Sequence, residues 1–271
     1  MTSLQRGFRN LFSSGQYGWV FLIPSLSLAA LFGLPILSLV VRAAGSDFFT
    51  SITSPFALHA LGLSIVTSLI SLAVTIIFGT ALAYLLARKT FPLKRWFETL
   101  IDLPVVLPPS VAGLALLMAF GRNGLLGPAL GFAGISVPFT SAAVVLAQTF
   151  VAAPLYVRAV RVGFAEIDVQ LEEAAYVEGA NQWQLFRDVM FPLARNAVLA
   201  GAILCWARAL GEFGATILFA GNLEGVTQTM PLAIYLGLEH SLGVAIALSV
   251  MLVAVSAILL LLTRRLEKHQ A

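Results

Sequence analysis

Glu173-Ala174-Ala175-Tyr176-Val177-Glu178-Gly179-Ala180-Asn181-Gln182-Trp183-Gln184-Leu185-Phe186-Arg187-Asp188-Val189-Met190-Phe191-Pro192 is the longest polar interval in a chain that otherwise dissolves in lipid. It must reach water. Just ahead of it, Asp168 is placed to cap a helix in which Ile167, Leu171, Ala174 and Ala175 share one face while Glu172, Glu173 and Tyr176 lie on another. Gly179 then permits a sharp turn. Asn181 with Gln184 reads as an N-cap pair opening a second short helix, with Trp183, Phe186 and Met190 as its apolar stripe and Pro192 as its stop. Two short helices are therefore expected to meet at a bend in water, within a loop spanning 166–192.

Everything around that loop is membrane. Of 271 residues, 59% are hydrophobic and only 11% charged, with a mean hydropathy of +0.93, which cannot describe a soluble surface. Six apolar stretches approach the roughly 20 residues that a bilayer core requires: Trp19 to Val41, Leu61 to Ala87, Leu100 to Phe120, Phe139 to Val157, Ala197 to Ala220 and Leu242 to Leu262. Arg6 and Arg9 precede the first, but that run is longer than the apolar core of a secretory leader. Orientation follows from the basic residues. Arg6, Arg9, Arg88, Lys89, Lys94, Arg95, Arg158, Arg161, Arg187, Arg195, Arg264, Arg265 and Lys268 fall on one side of a six-span path, and only Arg42 and Arg122 on the other. The expected fold is an all-α polytopic membrane protein of six transmembrane helices, one domain over 1–271, with both termini and the polar loop in the cytoplasm. A formal net charge of +3 is too small to argue for nucleic acid.

Several stretches depart from plain lipid-facing helix. Leu103 to Pro109 contains three prolines, so a regular third helix is expected only from about Pro109. That stretch is either a proline-rich helix start or unwound backbone lining a conduit. Asp102 beside it is expected at the membrane interface. Gly62, Ser64, Ser68, Ser71, Gly79 and Ala83 form a small-residue face on the second span, suited to close helix packing. Gly121 to Pro138 reads as an external loop with one short turn of helix. Asn222 to His240 reads as a second external segment, whose exposed Thr227, Gln228, Thr229 and Glu239 either dock a partner or belong to a merely solvated loop with a short interfacial helix. Arg208 and Glu212 stand four residues apart, hence on one face of the fifth helix near mid-bilayer depth. A charge there costs roughly 2.5 to 3.5 kcal/mol even on the lenient insertion scale, so neither faces lipid. They are either a self-neutralising brace or the lining of a pathway.

A partner-independent membrane enzyme working through Arg208 and Glu212, or an ion channel, stays open as a lesser alternative to a transporter. No phosphate-binding G-x-x-x-x-G-K-[ST], no H-E-x-x-H and no C-x-x-C occurs, so the chain has no ATP-hydrolysing loop of its own. A channel needs a charge ring or a filter loop, and one ionic pair supplies neither. His59, His240 and His269 are scattered without metal-ligand spacing, and Cys205 lies in an apolar run as a packed thiol.

The polar loop also carries a resemblance. Glu173-Ala174-Ala175, three residues, Gly179, nine residues, Val189, one residue and Phe191-Pro192 resembles the cytoplasmic EAA loop of ABC importer permeases, with Val189 and Phe191 where isoleucine and leucine are usual. Leu103 to Gly113 with Gly121 to Gly127 looks like molybdate permeases, and less like sulfate permeases. Ala207 through Gly221-Asn222 to Pro231-Leu232-Ala233-Ile234-Tyr235 is similar to the molybdate, tungstate and sulfate branch. The resemblance implies a type I ABC importer-like fold in a bacterial or archaeal inner membrane, moving molybdate, with tungstate, by alternating access; sulfate or thiosulfate is the second choice. It implies a homodimer with two cytoplasmic ABC ATPase subunits and an external substrate-binding protein. ATP and Mg would sit on the ATPase, and this chain would hold no cofactor. ATPase coupling would fall to Glu173, Ala174, Ala175, Gly179, Val189, Phe191 and Pro192, and the pathway or gate to Arg208, Glu212 and Thr216.

Overall fold

Backbone in a bilayer has no water to bond to, so each crossing segment must satisfy its own polar groups as helix. The computed structural model describes residues 18–44 and 48–268, so Arg6, Arg9 and His269 lie outside the described residues. Every regular element among the described residues is helical. In order they are α1 (Gly18–Ala43), α2 (Phe48–Ile52), α3 (Pro55–Arg88), α4 (Lys94–Val106), α5 (Pro109–Phe120), α6 (Gly127–Phe132), α7 (Ser141–Ala165), α8 (Val169–Val177) and α9 (Gln182–Gln184). A π-helical turn, Leu185–Met190, then leads into α10 (Phe191–Leu210), followed by α11 (Gly214–Phe219), α12 (Met230–His240) and α13 (Leu242–Lys268).

Four of the described helical runs are long and apolar enough to cross a membrane: Val20–Ala43, Pro55–Arg88, Ser141–Ala165 and Gln182–Leu210. A fifth candidate is the pair α4 and α5, bent by 120° at its break, while α13 carries a shorter apolar stretch, Leu242–Ile258. The third expected span is thus not one rod. A helix already runs from Lys94 through Pro104 to Val106, and the interruption falls at Leu107-Pro108, after which Pro109 opens a new helix at its first turn. Pro104 is tolerated because only one ladder bond is lost to it, whereas two successive prolines at 108 and 109 remove neighbouring donors together.

The packed centre is α7 against α3 on one side and α10 on the other. Lipid tails are as apolar as leucine, so these helices are held by close packing and by hydrogen bonds between them. On α3, Ser64, Ser68, Ser71, Gly79 and Ala83 are buried as the small-residue face predicts, but Gly62 is exposed with open space beside it. Tyr156 of α7 is fully buried, its hydroxyl 2.6 Å from the Thr80 hydroxyl. The Thr149 hydroxyl donates to Ser71 at 3.0 Å, and the Trp206 indole N–H donates to Ser68 at 2.9 Å. Cys205 is buried, as expected of a packed thiol.

On the opposite side from the polar loop, α6 supplies the short helix expected between Gly121 and Pro138. The segment after α11 corrects the expectation of exposed docking groups. Thr227, Gln228 and Thr229 are buried, the first two because they build the turn rather than coat it, whereas Glu239 is exposed as expected. The Thr227 hydroxyl accepts from the Leu223 N–H at 2.9 Å, and the Gln228 amide donates to the Asn222 side chain at 3.0 Å. The Ser64 hydroxyl of α3 accepts from the Met230 N–H at 2.7 Å, satisfying a donor at the start of α12.

Two substitutions at Tyr156 separate packing from bonding. Tyr156→Phe should cost about 0.6 to 1.7 kcal/mol, the range for hydrogen bonds between membrane helices. Tyr156→Ala, which also empties the site, should cost about 3 to 5 kcal/mol. Thermal unfolding of the purified protein in detergent should therefore drop far more for alanine than for phenylalanine.

Candidate functional site

Side-chain caps set both helices of the polar loop. The Asp168 carboxylate accepts from the Gln170 N–H at 3.0 Å and starts α8. At its other end Gly179 has φ +91°, with the Gly179 N–H on the Tyr176 carbonyl at 3.0 Å and the Ala180 N–H on the Ala175 carbonyl at 2.9 Å. That is the paired closure of a Schellman turn, which asks for a left-handed residue at this position. The space around Gly179 is open, so backbone angle alone selects glycine. Asn181 then accepts from Trp183 and Gln184 N–H groups at 3.0 and 2.9 Å, while the Gln184 side chain accepts from the Asn181 N–H at 2.8 Å. The expected capping box is complete.

Two details of the loop differ from expectation. Pro192 does not stop the second helix, which continues from Gln182 to Leu210. The π-helical turn ahead of it, closed by the Phe191 N–H on the Phe186 carbonyl, widens the ladder at the point where the proline ring would meet it. Nor does α8 bury the face that its apolar residues suggest. Ile167 and Ala175 pack inward, but Leu171 and Ala174 are exposed, and Glu172 turns in to pair with Arg88 at 2.7 Å. Glu173, Ala174 and Gly179 face outward beside exposed Val169, Leu171, Tyr176, Val177 and Trp183. The loop thus presents an acidic residue within an apolar patch, a surface suited to another protein. Of the remaining loop residues, Val189 packs partly against the core, whereas Phe191 and Pro192 are exposed, Phe191 lying 6.0 Å from the Phe186 ring.

The second candidate site is the intramembrane pair. Arg208 Nη1 lies 2.6 Å from Glu212 Oε2, but not along one helix face, since α10 ends at Leu210 and Glu212 sits in the break before α11. Its other oxygen, Oε1, accepts from the Ala215 N–H at 2.8 Å and so caps α11. Glu212 is 1% exposed, while the Arg208 side chain is 33% exposed, leaving the cation as the reachable partner. The break abuts the other interrupted helix. A Cβ on Gly214 would fall 2.5 Å from the Pro109 Cβ, and one on Gly113 would fall 2.8 Å from the Ala215 carbonyl oxygen. Thr216, one turn beyond, is fully buried.

Three ion pairs between distant segments went unread in the sequence: Arg88 with Glu172, Arg158 with Asp102 at 3.0 Å, and Arg161 with Glu98 at 2.8 Å. Each joins residues far apart in the chain, and no local spacing signals them. Asp102 therefore has a definite partner on α7. On the far side, Phe120, Arg122, Gly127, Leu130, Ile135 and Val137 help line a cavity of about 250 Å³.

Residues 75–271 match the family described as binding-protein-dependent transport system inner membrane component. The chain belongs to that family. It is 42% identical over 243 residues to the molybdenum transport system permease protein ModB of Mycobacterium tuberculosis, covering 90% of this chain and 92% of that protein. Against a probable sulfate transport system permease protein cysT of Chlorokybus atmophyticus, identity is 36% over 210 residues, covering 76% and 73%. Among solved structures, a chain of a bacterial ABC transporter that imports alginate superposes with a TM-score of 0.75 at 17% identity, covering 93% of this chain and 94% of that one. A bacterial alginate transporter in complex with its pentasaccharide-bound periplasmic protein gives the same TM-score, covering 93% of each chain. The fold is that of ABC transporter permeases, and the protein is a multi-pass membrane permease.

Breaking the intramembrane pair from one side should be worse than removing it. Arg208→Gln leaves Glu212 buried without its cation, a loss of about 3 to 5 kcal/mol when such pairs are broken, toward the lower end here because Arg208 is partly exposed. Arg208→Gln with Glu212→Gln should recover most of that, since glutamine can still accept from Ala215. Thermal unfolding of the single and double variants in detergent reads the difference.

Proposed function

We propose that this chain is the permease subunit of a molybdate importer, carrying tungstate as well. The observation that carries the proposal is the 42% identity to the ModB relative across 90% of this chain, against 36% across 76% for the sulfate relative. It works as a homodimer with six transmembrane helices per copy and both termini in the cytoplasm. Two ABC ATPase subunits bind ATP and Mg on the cytoplasmic side, and an external binding protein delivers the oxyanion. Closure of the ATPases pushes on the loop at 166–192, where Glu173, Ala174, Ala175 and Gly179 meet the partner and Val189, Phe191 and Pro192 fix the second helix behind them. The two permease copies then rock between inward-facing and outward-facing forms.

Within the membrane, Arg208 is the residue we assign to the passing dianion. Its guanidinium can exchange part of its contact with Glu212 for an oxyanion oxygen, and Glu212 keeps that contact from becoming a trap. Thr216 is buried, so its part in the gate is packing behind the pair. Reconstituted in proteoliposomes with its ATPase and binding protein, the complex should take up molybdate in preference to sulfate and only with ATP. Sulfate uptake undiminished by molybdate would reverse the assignment. The double variant Arg208→Gln with Glu212→Gln should still hydrolyse ATP while taking up oxyanion poorly.

Coupling has its own test. Gly179→Asp forces a side chain into a left-handed turn at about 1 to 2 kcal/mol, and Glu173→Lys reverses a charge at the proposed ATPase contact. Both variants should insert in the membrane normally yet lose ATPase association or uptake. Uptake at the original rate in both would remove the loop from the coupling path.

A further inference from the structure

Helix α8 spans nine residues, none of them buried. A helix so short has little stability alone and depends on what it is fastened to. It packs against the π turn Leu185–Met190, turns Ala175 and, just ahead of it, Ile167 toward the core, and has one charged anchor, Arg88, the last residue of α3. Arg88 Nε pairs with Glu172 Oε1 at 2.7 Å, with the two side chains 10% and 15% exposed. Arg88 Nη2 also donates to the Ile167 carbonyl at 2.5 Å, one residue before the Asp168 cap. One guanidinium therefore holds α8 both at its first turn and just ahead of it. One turn earlier on α3, the Tyr84 ring meets Phe164 and Phe186 edge-on at 5.4 and 5.3 Å, so the same end of α3 grips the other arm of the loop.

From that end α3 is tied to its neighbours at successive levels. Thr80 bonds Tyr156 and Ser71 bonds Thr149, both on α7. Ser68 bonds Trp206 on α10, and Ser64 bonds the first N–H of α12 on the opposite side from the loop. We propose that Arg88 is a positioning residue that locks the coupling helix α8 onto α3, and that α3 carries the displacement of α8 through the membrane to α12. This rests on the coupling role proposed above for the loop. Without the Arg88 clamp, Glu173 can still meet a partner, but its motion is spent in swinging α8 rather than in moving α3.

The test uses the full complex in proteoliposomes, with molybdate uptake and ATP hydrolysis read in one sample. Arg88→Gln and Glu172→Gln should each lower uptake per ATP hydrolysed by roughly tenfold, inside the usual span of coupling between sites. Arg88→Glu combined with Glu172→Arg, which rebuilds the ion pair but not the bond to the Ile167 carbonyl, should recover part of it. A second measurement stands if the reversed pair assembles poorly. Spin labels at Val177 and Lys89 of one copy, with Cys205→Ser, should report the same separation with and without ATP. Unchanged uptake per ATP in both glutamine variants, an intact reversed pair that stays uncoupled, or a separation that shifts on ATP binding would overturn the clamp. Absence of ATP-driven molybdate uptake by the unaltered complex would instead overturn the proposed function, and the label separation would still decide the clamp.

Discussion

Interrupting a helix within a bilayer leaves backbone donors with nothing to bond to, and the Glu212 carboxylate is what makes that tolerable here. One of its oxygens takes the Ala215 N–H and the other holds Arg208, so a single buried anion begins the helix segment after the break and neutralises the nearby cation. An isolated carboxylate in this setting costs several kcal/mol in desolvation, and the pairing makes that cost bearable. Because the break is held in this way, α11 can press its first residue onto Pro109 at the start of α5. Two interrupted helices thus meet at their interruptions, where irregular backbone is buried in protein rather than offered to lipid.

The rest of the core depends on a different constraint. Apolar burial drives no association between helices already in lipid, so shape and hydrogen bonds must do so. Helix α3 answers with a buried run of small and hydroxyl residues from Ala57 to Leu86, whose hydroxyls reach α7, α10 and α12. Helix α1 shows the contrast. Phe21 and Phe32 are 71% and 65% exposed on a helix that touches α13 and buries Ala43 at its end but leaves most of its apolar surface open. Lipid, or a second copy, is the only environment suited to such a surface.

Much of this was legible because it is local. Asp168, Gly179, Asn181 and Gln184 act through bonds spanning at most a few residues, and their types and spacing announce the caps and the turn. The small-residue face of α3 follows helical periodicity, and it failed only at Gly62, whose position gives no hint of how far the packed neighbours extend. What the sequence hid was either tertiary or a matter of backbone accommodation. Pro192 looks like a stop until a π turn moves the ladder aside. Glu172 and Glu173 are adjacent carboxylates, and only the position of Arg88, on another helix, decides which one turns in. Thr227 and Gln228 look exposed because a turn that bonds itself has the same composition as a turn that bonds water.

On the proposed function, the charge distribution fits a conduit with little selectivity of its own. Among the described residues, the arginines bonded across helices, Arg88, Arg158 and Arg161, are matched by carboxylates toward the end of the bundle that carries the polar loop. Deeper in, Arg208 is matched too, but with its anion fully buried and its own side chain partly open. On the proposed function, a dianion approaching from the open side would meet the cation first while Glu212 repels it from behind, so binding would be favourable yet shallow. Shallow binding suits a passage that must release what it admits. On the proposed function, discrimination among tetrahedral oxyanions of equal charge then has to come from the external binding protein, because one guanidinium reads charge and distance but not the identity of the central atom.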